Sequence, residues 1–596
     1  MKTKNIQAIH ATAIVALLLA GRAAAQYGNL CGPSTGSQFG CSIGNAGDVN
    51  GDGLNDIIVG AKSATNPSTG AVTGAAYVYT ASGTLLWAWY GSGDLFGFSV
   101  AGAGDVDNDG RADLIVGAPD ASPGGFLRAG RAIVYSGRTG AQLFEVDGSV
   151  TELHLGYSVA GAGNVNGDAY ADVIVGSNWL GSGGPGFPGL AEVFVGPTGT
   201  FRYAWTGDAD NSVFGNAVAS AGDVNGDGLS DLIVGAPGAN FSAGMARVFS
   251  GANGQTLCTL YSAFPGLDFG WSVASAGDVN GDGRSDVIVG QPRGQISTTI
   301  RGTAQVFNAV TGVLLQGWEG DATGEKFGFA VASAGDVDRD GRADLLIGVP
   351  EDGSITPGGG GVRVFSGRTG LRLFAIAQGS NQVLEAGSAV AGLGNAFSNN
   401  APEFAYAAAL GDCNGIDTGM VWIYSMPEIF RFALGDGSGT QCPCNQYGGP
   451  GSGCANPSAP TGGRLDACGS ASVSADTVRL GANNLTPSTL LFVQGTTQSN
   501  NGRGTPYGNG ILGIGGSIIR LGVKTATPMG GDTGCLFGGF GNGAIYPGPG
   551  DPTLSVRGMV PPVGGSRDYQ VWYRTPPGCG GANTNWTNGI SVAWGP

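Results

Sequence analysis

The sequence has 596 residues, of which 115 are glycine and 29 are proline, so these two residue types fill about a quarter of the chain. Such a share excludes a mainly helical protein, because glycine and proline are the poorest helix formers. With 42% hydrophobic and only 12% charged residues, the chain has enough apolar surface to fold, which argues against disorder. The glycines are therefore expected to recur in a pattern.

The N-terminus has the features of a secretory signal peptide. Two lysines precede an apolar run over 11–20, and three alanines end the segment at Ala25. This order predicts a signal peptide over 1–25 and a secreted or surface-retained extracellular protein, whereas a membrane anchor is disfavoured because the run is short and Arg22 interrupts it. Removal of the peptide changes the net charge from −16 to −19, with 25 basic against 44 acidic residues. Nucleic acid and anionic membranes are poor partners for this charge.

Only one histidine, His154, lies outside the predicted signal peptide. It has no serine or cysteine motif beside it. Ser-His-Asp, Cys-His and catalytic zinc sites all need a histidine held by such partners. We therefore expect His154 to be an ordinary loop residue, and the sequence shows no catalytic constellation.

An apolar residue followed by glycine recurs seven times. The copies are Phe39-Gly40, Phe96-Gly97, Leu155-Gly156, Phe214-Gly215, Phe269-Gly270, Phe327-Gly328 and a degenerate Ala386-Gly387. About eight residues after each copy a polar, mostly acidic nonapeptide begins, and the starts lie 55 to 59 residues apart. They are Asp48, Asp105, Asn164, Asp223, Asp278, Asp336 and Asn395. A fixed period of this kind is typical of a repeat architecture.

Each repeat is also predicted to contain four short strands. An apolar run such as 114–116 ends in a Gly-Ala-Pro turn, a third strand such as 131–135 follows, and a Thr-Gly turn leads to a fourth such as 142–146. Four strands per unit are typical of a propeller blade, and seven blades close a ring. The sequence therefore predicts an all-β fold with a seven-bladed β-propeller.

The nonapeptides have the composition of calcium loops. Side-chain oxygens at offsets 0, 2, 4 and 8, with a carbonyl at offset 6, can surround one hard cation, and calcium prefers six to eight such ligands. An EF-hand is disfavoured, because Val59 and Val116 stand where its last glutamate is needed. Five loops carry the full set: Asp48, Asn50, Asp52 and Asp56; Asp105, Asp107, Asp109 and Asp113; Asp223, Asn225, Asp227 and Asp231; Asp278, Asn280, Asp282 and Asp286; Asp336, Asp338, Asp340 and Asp344.

The other two loops are incomplete. The third, with Asn164, Asn166, Asp168 and Asp172, has only two acids and has Ala169 in place of the turn glycine, so it should bind weakly or not at all. The seventh, with Asn395, Phe397, Asn399 and Glu403, cannot rebuild the shell. We predict five structural Ca²⁺ ions, with a sixth only if the third loop binds one.

In this fixed order, the Phe-Gly pair, the acidic loop and the Gly-Ala-Pro turn resemble the FG-GAP repeat of integrin α-subunit head propellers and of several secreted bacterial proteins. The resemblance covers about 28–435. It implies calcium loops on one face and ligand-binding loops on the other. The ligand-binding loops are those that join second to third strands and those that connect successive blades. On that face the candidate ligand residues are Phe126, Arg128, Trp179, Phe187, Arg293, Arg301, Glu351 and Asp352, since exposed aromatic and arginine side chains are typical anchors.

A second domain is predicted over 436–596, after a glycine-rich linker. Its strand-like runs at 490–493, 518–521, 569–573 and 590–594 favour a β-sandwich-like fold. It resembles a C-terminal module of secreted bacterial repeat proteins. Six of the ten cysteines lie in it, and export favours disulfides. In the propeller, Cys31 and Cys41 are candidates for a bridge, whereas a bridge between Cys258 and Cys413 is disfavoured.

The sequence is compatible with two functions. The first is a non-enzymatic, calcium-stabilised extracellular protein that binds a protein or glycan ligand in adhesion. The alternative is an extracellular hydrolase or lyase acting on polysaccharide or phospholipid with carboxylates on a propeller face. The first is preferred, because function needs a site on the fold and almost every clustered acid is already assigned to calcium.

Overall fold

The computed structural model describes residues 25–178, 188–209, 211–296, 299–338, 341–351, 360–377, 385–397, 402–413 and 416–425, and strands between 429 and 594. The chain divides into a larger unit, for the most part up to Met426, and a smaller one from Pro427 onward. The larger unit contains seven four-stranded antiparallel sheets. The described residues contain a single short 3₁₀ turn, Pro123–Gly125, and otherwise strands and loops.

Each of the first six blades consists of four strands that are consecutive along the chain apart from one short ribbon in blade 5. Blade 1 contains Phe39–Gly47, Asp56–Ala61, Ala75–Tyr79 and Leu85–Tyr90, and blade 2 contains Ser99–Gly104, Asp113–Ala118, Arg131–Tyr135 and Gln142–Asp147. Blade 3 contains Ser158–Gly163, Asp172–Ser177, Leu190–Val195 and Thr200–Thr206. Blade 4 contains Ala217–Gly222, Asp231–Ala236, Met245–Phe249 and Thr256–Leu260.

Blades 5 and 6 repeat the pattern. Blade 5 contains Ser272–Gly277, Asp286–Gln291, Thr303–Phe307 and Leu314–Glu319, with a small ribbon of Gly266–Leu267 and Arg293–Gly294 at one end. Blade 6 contains Val331–Gly335, Asp344–Val349, Gly361–Phe365 and Arg372–Ala377. The first strands of successive blades contact one another from blade 1 to blade 7, and that of blade 7 contacts that of blade 1. The predicted seven-bladed propeller is therefore confirmed.

Blade 7 takes its outermost strand from the other end of the chain. Ala389–Gly394, Glu403–Ala408 and Met420–Ser425 supply three strands, and Ala25–Cys31 pairs antiparallel with Met420–Ser425 as the fourth. The ring is thus closed by hydrogen bonds between the N-terminal strand and the last repeat. No repeat pattern marks this strand in the sequence.

The second strand of each blade forms the centre of the core. Asp113–Ala118 is buried along its whole length, as are its counterparts in the other blades. Its glycine permits blades to approach closely, because a Cβ atom on Gly117 would stand 2.0 Å from the carbonyl oxygen of Gly156 in blade 3. The recurring glycines thus lie where the backbones of neighbouring blades come close together.

Tryptophans on fourth strands connect neighbouring blades. Trp87 Nε1 of blade 1 donates a hydrogen bond to Gly137 O of blade 2 over 2.7 Å, and Trp89 Nε1 donates to Gly140 O over 2.9 Å. Trp205 and Trp318 make the same contact with Gly254 and Gly370. The turn after the third strand, which is Thr-Gly in blades 2 and 6 and Asn-Gly in blade 4, thus receives the preceding blade's tryptophan.

A disulfide joins Cys31, at the end of the N-terminal strand, to Cys413 of blade 7, with a Cα–Cα distance of 5.6 Å. The proposed Cys31–Cys41 bridge is therefore wrong, since Cys41 is a free thiol, as is Cys258. The reason is the ring closure, which brings residues 382 positions apart next to each other.

Among the residues that the structure describes, the smaller unit contains two larger antiparallel sheets and two short hairpins. The first has Ile429–Phe432, Gly589–Trp594, Gly565–Arg574, Thr489–Gly495 and Ile519–Thr525 in this order, with Thr584–Trp586 beside Gly565–Arg574. The second has Arg464–Cys468, Arg479–Leu485, Asn542–Tyr546 and Thr527–Pro528, and two short hairpins pair Thr497–Gln498 with Ile514–Gly515 and Thr505–Tyr507 with Gly510–Leu512. The predicted runs 490–493, 569–573 and 590–594 fall on strands of the first sheet, as do residues 519–521 of the fourth run, whose first residue lies outside the described residues. Cys442, Cys444, Cys454, Cys535 and Cys579 lie outside the described residues.

Candidate cation loops and the opposite face

The antiparallel order of the strands separates the loops into two groups. The acidic loops join first to second strands, so they lie at the same end of each blade as the Thr-Gly turns between third and fourth strands. The loops from second to third strands, and the connections between blades, lie at the other end. We call these two ends the acidic face and the opposite face.

The loop starting at Asp105 shows the geometry of the acidic face. Carboxylate oxygens of Asp105, Asp107 and Asp109 all lie within 4.8 Å of one another. The Asp105 carboxylate accepts hydrogen bonds from the backbone N–H groups of Asp109 over 3.0 Å and of Gly110 over 2.9 Å. The turn at Gly110, with φ +86°, folds the loop back on its first residue. Three carboxylates therefore converge on a half-exposed point.

The acid at offset 8 has a second task, inside the blade. Asp113 is fully buried, and its Oδ2 accepts the N–H of Val106 over 2.7 Å while Oδ1 accepts the N–H of Gly137 over 2.9 Å. The equivalent acid is buried in every blade and accepts the same N–H from its own loop: Asp56, Asp172, Asp231, Asp286, Asp344 and Glu403. This residue thus fastens the loop to the second strand.

These buried acids carry an electrostatic penalty. Burial, reinforced by the neighbouring Asp52 and Asp48, raises the pKa of Asp56 to about 7 against the hydrogen bond from Val49. Burial also raises the pKa of Asp113 to about 7, with Asp107 adding to the effect. Without a positive charge the ionised form of each group is disfavoured, so the donor set fits a bound cation.

The remaining loops differ in how they compensate their charge. Asp336, Asp338 and Asp344 bring oxygens within 4.8 Å of one another, while Asp340 lies outside the described residues. Where the second ligand is asparagine, its amide instead donates to a carboxylate of the same loop: Asn50 to Asp52 over 3.1 Å, Asn225 to Asp227 over 3.0 Å and Asn280 to Asp282 over 3.0 Å. In the third loop the Asn166 amide donates to Asp168 over 2.6 Å.

Arginines from the following blade lie against three of these asparagine-containing loops. Arg111 Nη1 is 3.9 Å from Asp48 Oδ2, and Arg342 Nη1 is 3.4 Å from Asp278 Oδ2. Arg284 lies beside Gly226, with Nε 3.2 Å from where a Cβ atom would stand. Each of these arginines stands at offset 6 of its own loop. In blade 3, which follows the four-acid loop starting at Asp105, the residue at offset 6 is Tyr170. The loops with three acids therefore have an arginine neighbour, and this four-acid loop has none at that position.

The predicted ligand residues are spread over the opposite face. Phe126 is 45% exposed, and Arg128 forms an ion pair with Glu152 at 3.4 Å. Arg293 pairs with Asp268, Arg301 Nε donates to Thr299 Oγ1, and Glu351 pairs with Lys326. They belong to blades 2, 5 and 6, and Trp179, Phe187 and Asp352 lie outside the described residues. His154 lies in a loop, as expected, and contacts Asp120 and Glu152 at 3.2 and 3.3 Å.

Among the described residues of this face, sequence reasoning missed the most exposed aromatic residue. Phe241 is 99% exposed and lies in the loop between the second and third strands of blade 4. Asn240, Phe241 and Ser242 have φ values of 49°, 58° and 68°, so three successive residues other than glycine are left-handed. The only sequence signal is an aromatic residue in a Gly-Ala-rich loop, and nothing in the letters indicates its backbone conformation.

Comparisons with known proteins agree with this architecture. The FG-GAP repeat model matches residues 214–254, 269–307 and 327–365, and the FG-GAP-like repeat model matches 48–116. These spans contain the five loops with the full ligand set. A solved structure, Saccharomyces cerevisiae Sqt1, aligns with 68% of this chain and 100% of its own at 12% identity, but its TM-score of 0.40 is too low to bear on the fold.

Curated relatives are integrin α subunits. The chain is 31% identical over 221 residues to integrin alpha-V of Gallus gallus, covering 33% of this chain and 20% of that protein. It is 30% identical over 231 residues to integrin alpha-8 of Homo sapiens, covering 35% and 20%. It is 33% identical over 171 residues to integrin alpha-5 of Xenopus laevis, covering 27% and 16%. The chain thus spans a fifth or less of these relatives, and the findings support an FG-GAP, integrin-α-like propeller.

In the part of the chain that the structure describes, no helix is long and apolar enough to cross a bilayer.

Proposed function

We propose that this chain is an exported, non-enzymatic extracellular binding or adhesion protein whose propeller is stabilised by calcium. The observation that carries the proposal is the convergence of carboxylates in loops that recur on one face of an integrin-α-like propeller. The ligand, a protein or a glycan, is held by loops of the opposite face.

The donor sets of the acidic face fit calcium. Carboxylate and amide oxygens at offsets 0, 2, 4 and 8 are the hard ligands that Ca²⁺ prefers, and the glycine turns let each loop wrap one ion. A bound ion would supply positive charge beside acids whose pKa burial now raises, such as Asp56 and Asp113. The strongest candidates are the loops starting at Asp105 and Asp336, where three carboxylates already converge.

Several acids of the opposite face form ion pairs with arginines. Asp208 pairs with Arg247, Asp268 with Arg293, and Glu325 with the buried Arg363. Carboxylates fixed in ion pairs of this kind order the loops and do not stand as an isolated acid and base. This arrangement favours binding over the alternative of carboxylate-based hydrolysis or elimination.

The test is to apply the full chain to an array of matrix proteins and glycans and to assay hydrolysis of the same glycans and of phospholipids in parallel. We expect saturable binding to at least one array member without turnover. Turnover that persists when the chain is truncated before residue 436 would contradict the non-enzymatic proposal, and absence of any binding would contradict the adhesion role.

A further inference from the structure

Blade 4 has a pocket on the opposite face. It is lined by Asp208, Ala209, Ser212, Ala239, Asn240, Met245 and Tyr261. These residues come from the connection between blades 3 and 4, the loop containing Phe241, the first position of the third strand of blade 4, and the connection between blades 4 and 5. The cavity volume is about 400 Å³, within the range of about 300–1,000 Å³ that is typical of small-molecule sites.

Two polar residues of the pocket, Asp208 and Ser212, are held in place by neighbouring groups. Arg247, whose side chain is only 15% exposed, pairs with Asp208 and lies with its guanidinium 5.9 Å from the centre of the Phe214 ring. Asp208 itself is 65% exposed, so its carboxylate is fixed by Arg247 and still faces solvent. Ser212 Oγ donates to Pro188 O and anchors the neighbouring segment. The lining of the pocket thus includes an oriented carboxylate, that of Asp208, and the residue Asn240, whose side chain carries an amide.

One aromatic residue lines the pocket, and a second stands next to a lining residue in the sequence. Tyr261 lines the pocket and is 55% exposed, and Phe241 follows the lining residue Asn240. The left-handed backbone of 240–242 is maintained by its surroundings, because Ser242 O accepts the N–H of Asp268 over 2.9 Å and Gly244 N–H donates to Ala239 O over 2.9 Å. A bulky residue in this conformation is strained, and such strain persists where the surrounding structure imposes it, most often at functional sites.

We propose that this pocket binds a pyranose unit of a glycan, with Asp208 and Asn240 bonding sugar hydroxyls while the rings of Tyr261 and Phe241 stack against its C–H face. A carboxylate accepts two hydroxyl protons, and an amide both donates and accepts, which matches neighbouring hydroxyls. Aromatic rings provide rigid apolar area for a ring-shaped ligand. The inference rests on the proposed extracellular binding function and names its ligand class.

A peptide anchor fits these residues less well. Protein hot spots lie in fully desolvated pockets that take an aromatic or arginine side chain. Here the apolar lining consists of two alanines and Met245, and the charged group is exposed. A neutral, hydroxylated ligand is therefore the better complement, and peptide binding is an outcome that the test separates.

The test uses the full chain and four probes, the methyl pyranosides of glucose, galactose, mannose and N-acetylglucosamine, followed by saturation-transfer NMR. We expect saturable binding of at least one probe, and at least a tenfold weaker affinity in Phe241→Ala and Tyr261→Ala. Phe201→Ala is the matched control, since it removes an aromatic residue that is 55% exposed at the start of the fourth strand of blade 3, on the acidic face, and should bind like the parent chain. Thermal unfolding of each variant reports whether it is folded.

The outcomes distinguish the two proposals. If no pyranoside binds while a matrix protein does, the glycan inference is overturned and the binding function stands. If a pyranoside binds equally to folded Phe241→Ala and Tyr261→Ala, the sugar site lies elsewhere and the assignment of this pocket is overturned. If neither class of ligand binds, the proposed function itself fails.

Discussion

The two faces of the propeller differ in how far their loops resemble one another from blade to blade. On the acidic face the same nonapeptide recurs, and even the degenerate seventh copy keeps the buried acid Glu403, which accepts the N–H of Ala396 over 2.8 Å. On the opposite face the loops differ from blade to blade in length, charge and backbone conformation, as the left-handed segment 240–242 shows. The recurring features stabilise the ring, and the irregular ones are available for recognition.

The seventh loop shows what the recurrence means. It has asparagine at offsets 0 and 4 and phenylalanine at offset 2, but it has kept an acid at offset 8. The buried acid is therefore needed for the hydrogen bonds of the blade whether or not a cation is bound. A calcium prediction should rest on the first three ligand positions, which vary between loops, and not on the invariant one.

The disulfide is the exception, because it is a stabilising device on the opposite face. Replacing both Cys31 and Cys413 by serine should lower the free energy of unfolding by about 4 kcal/mol, since the bridge closes a long loop in the unfolded chain. Guanidinium unfolding measures this loss. Cys258→Ser, at a free thiol, is the control and should change stability by less than about 1 kcal/mol. Equal stability of the three chains would show that strand pairing alone closes the ring.

On the acidic face, Asp113→Asn should lower the free energy of unfolding by about 3 kcal/mol, because the amide places an N–H against one of two buried N–H donors. Calorimetric unfolding in calcium-containing buffer measures the effect. Asp168→Asn, in the exposed part of the third loop, makes the same chemical change and should cost no more than about 0.5 kcal/mol. Similar losses in both variants would remove the distinction between the buried and exposed acids.

At the blade 4 pocket we expect a substitution to stabilise the protein, whereas the preceding substitutions destabilise it. Phe241→Gly should raise the free energy of unfolding by about 1 kcal/mol, because glycine adopts φ 58° without strain, while pyranoside binding is lost. Phe126→Gly is the control, since Phe126 has φ −77° and glycine relieves nothing there. Chemical unfolding of both variants gives the comparison. A destabilised Phe241→Gly would show that the loop stores no strain.

The smallest effect concerns the arginines between adjacent acidic loops. Arg111→Ala should strengthen Ca²⁺ binding to the loop starting at Asp48 by about threefold, since it removes a partly exposed positive charge 3.9 Å from a ligand carboxylate. Isothermal titration calorimetry resolves a change of this size. Arg131→Ala, which removes an arginine paired with Asp147 at the opposite-face end of blade 2, should leave calcium binding unchanged. Weaker calcium binding to Arg111→Ala would mean that the arginine supports the loop.

Local patterns predicted the blades correctly and failed where distant segments meet. The predicted strand 131–135 is present as Arg131–Tyr135, because alternation and Gly-Ala-Pro turns are properties of adjacent residues. The strand Ala25–Cys31 and its bridge to Cys413 depend on ring closure, which leaves no local signal. The positive φ of Phe241 likewise depends on contacts with the next blade, such as that of Ser242 O with Asp268 N–H.

Calcium dependence of unfolding tests the central claim most directly. The full chain is unfolded in a calorimeter with excess Ca²⁺, with a chelator, and with Ca²⁺ restored after chelation. Because a ligand that binds only the folded state stabilises it, we predict a substantially lower melting temperature in the chelator and full recovery on restoring calcium. Superimposable unfolding curves in the three conditions would contradict a calcium-stabilised propeller.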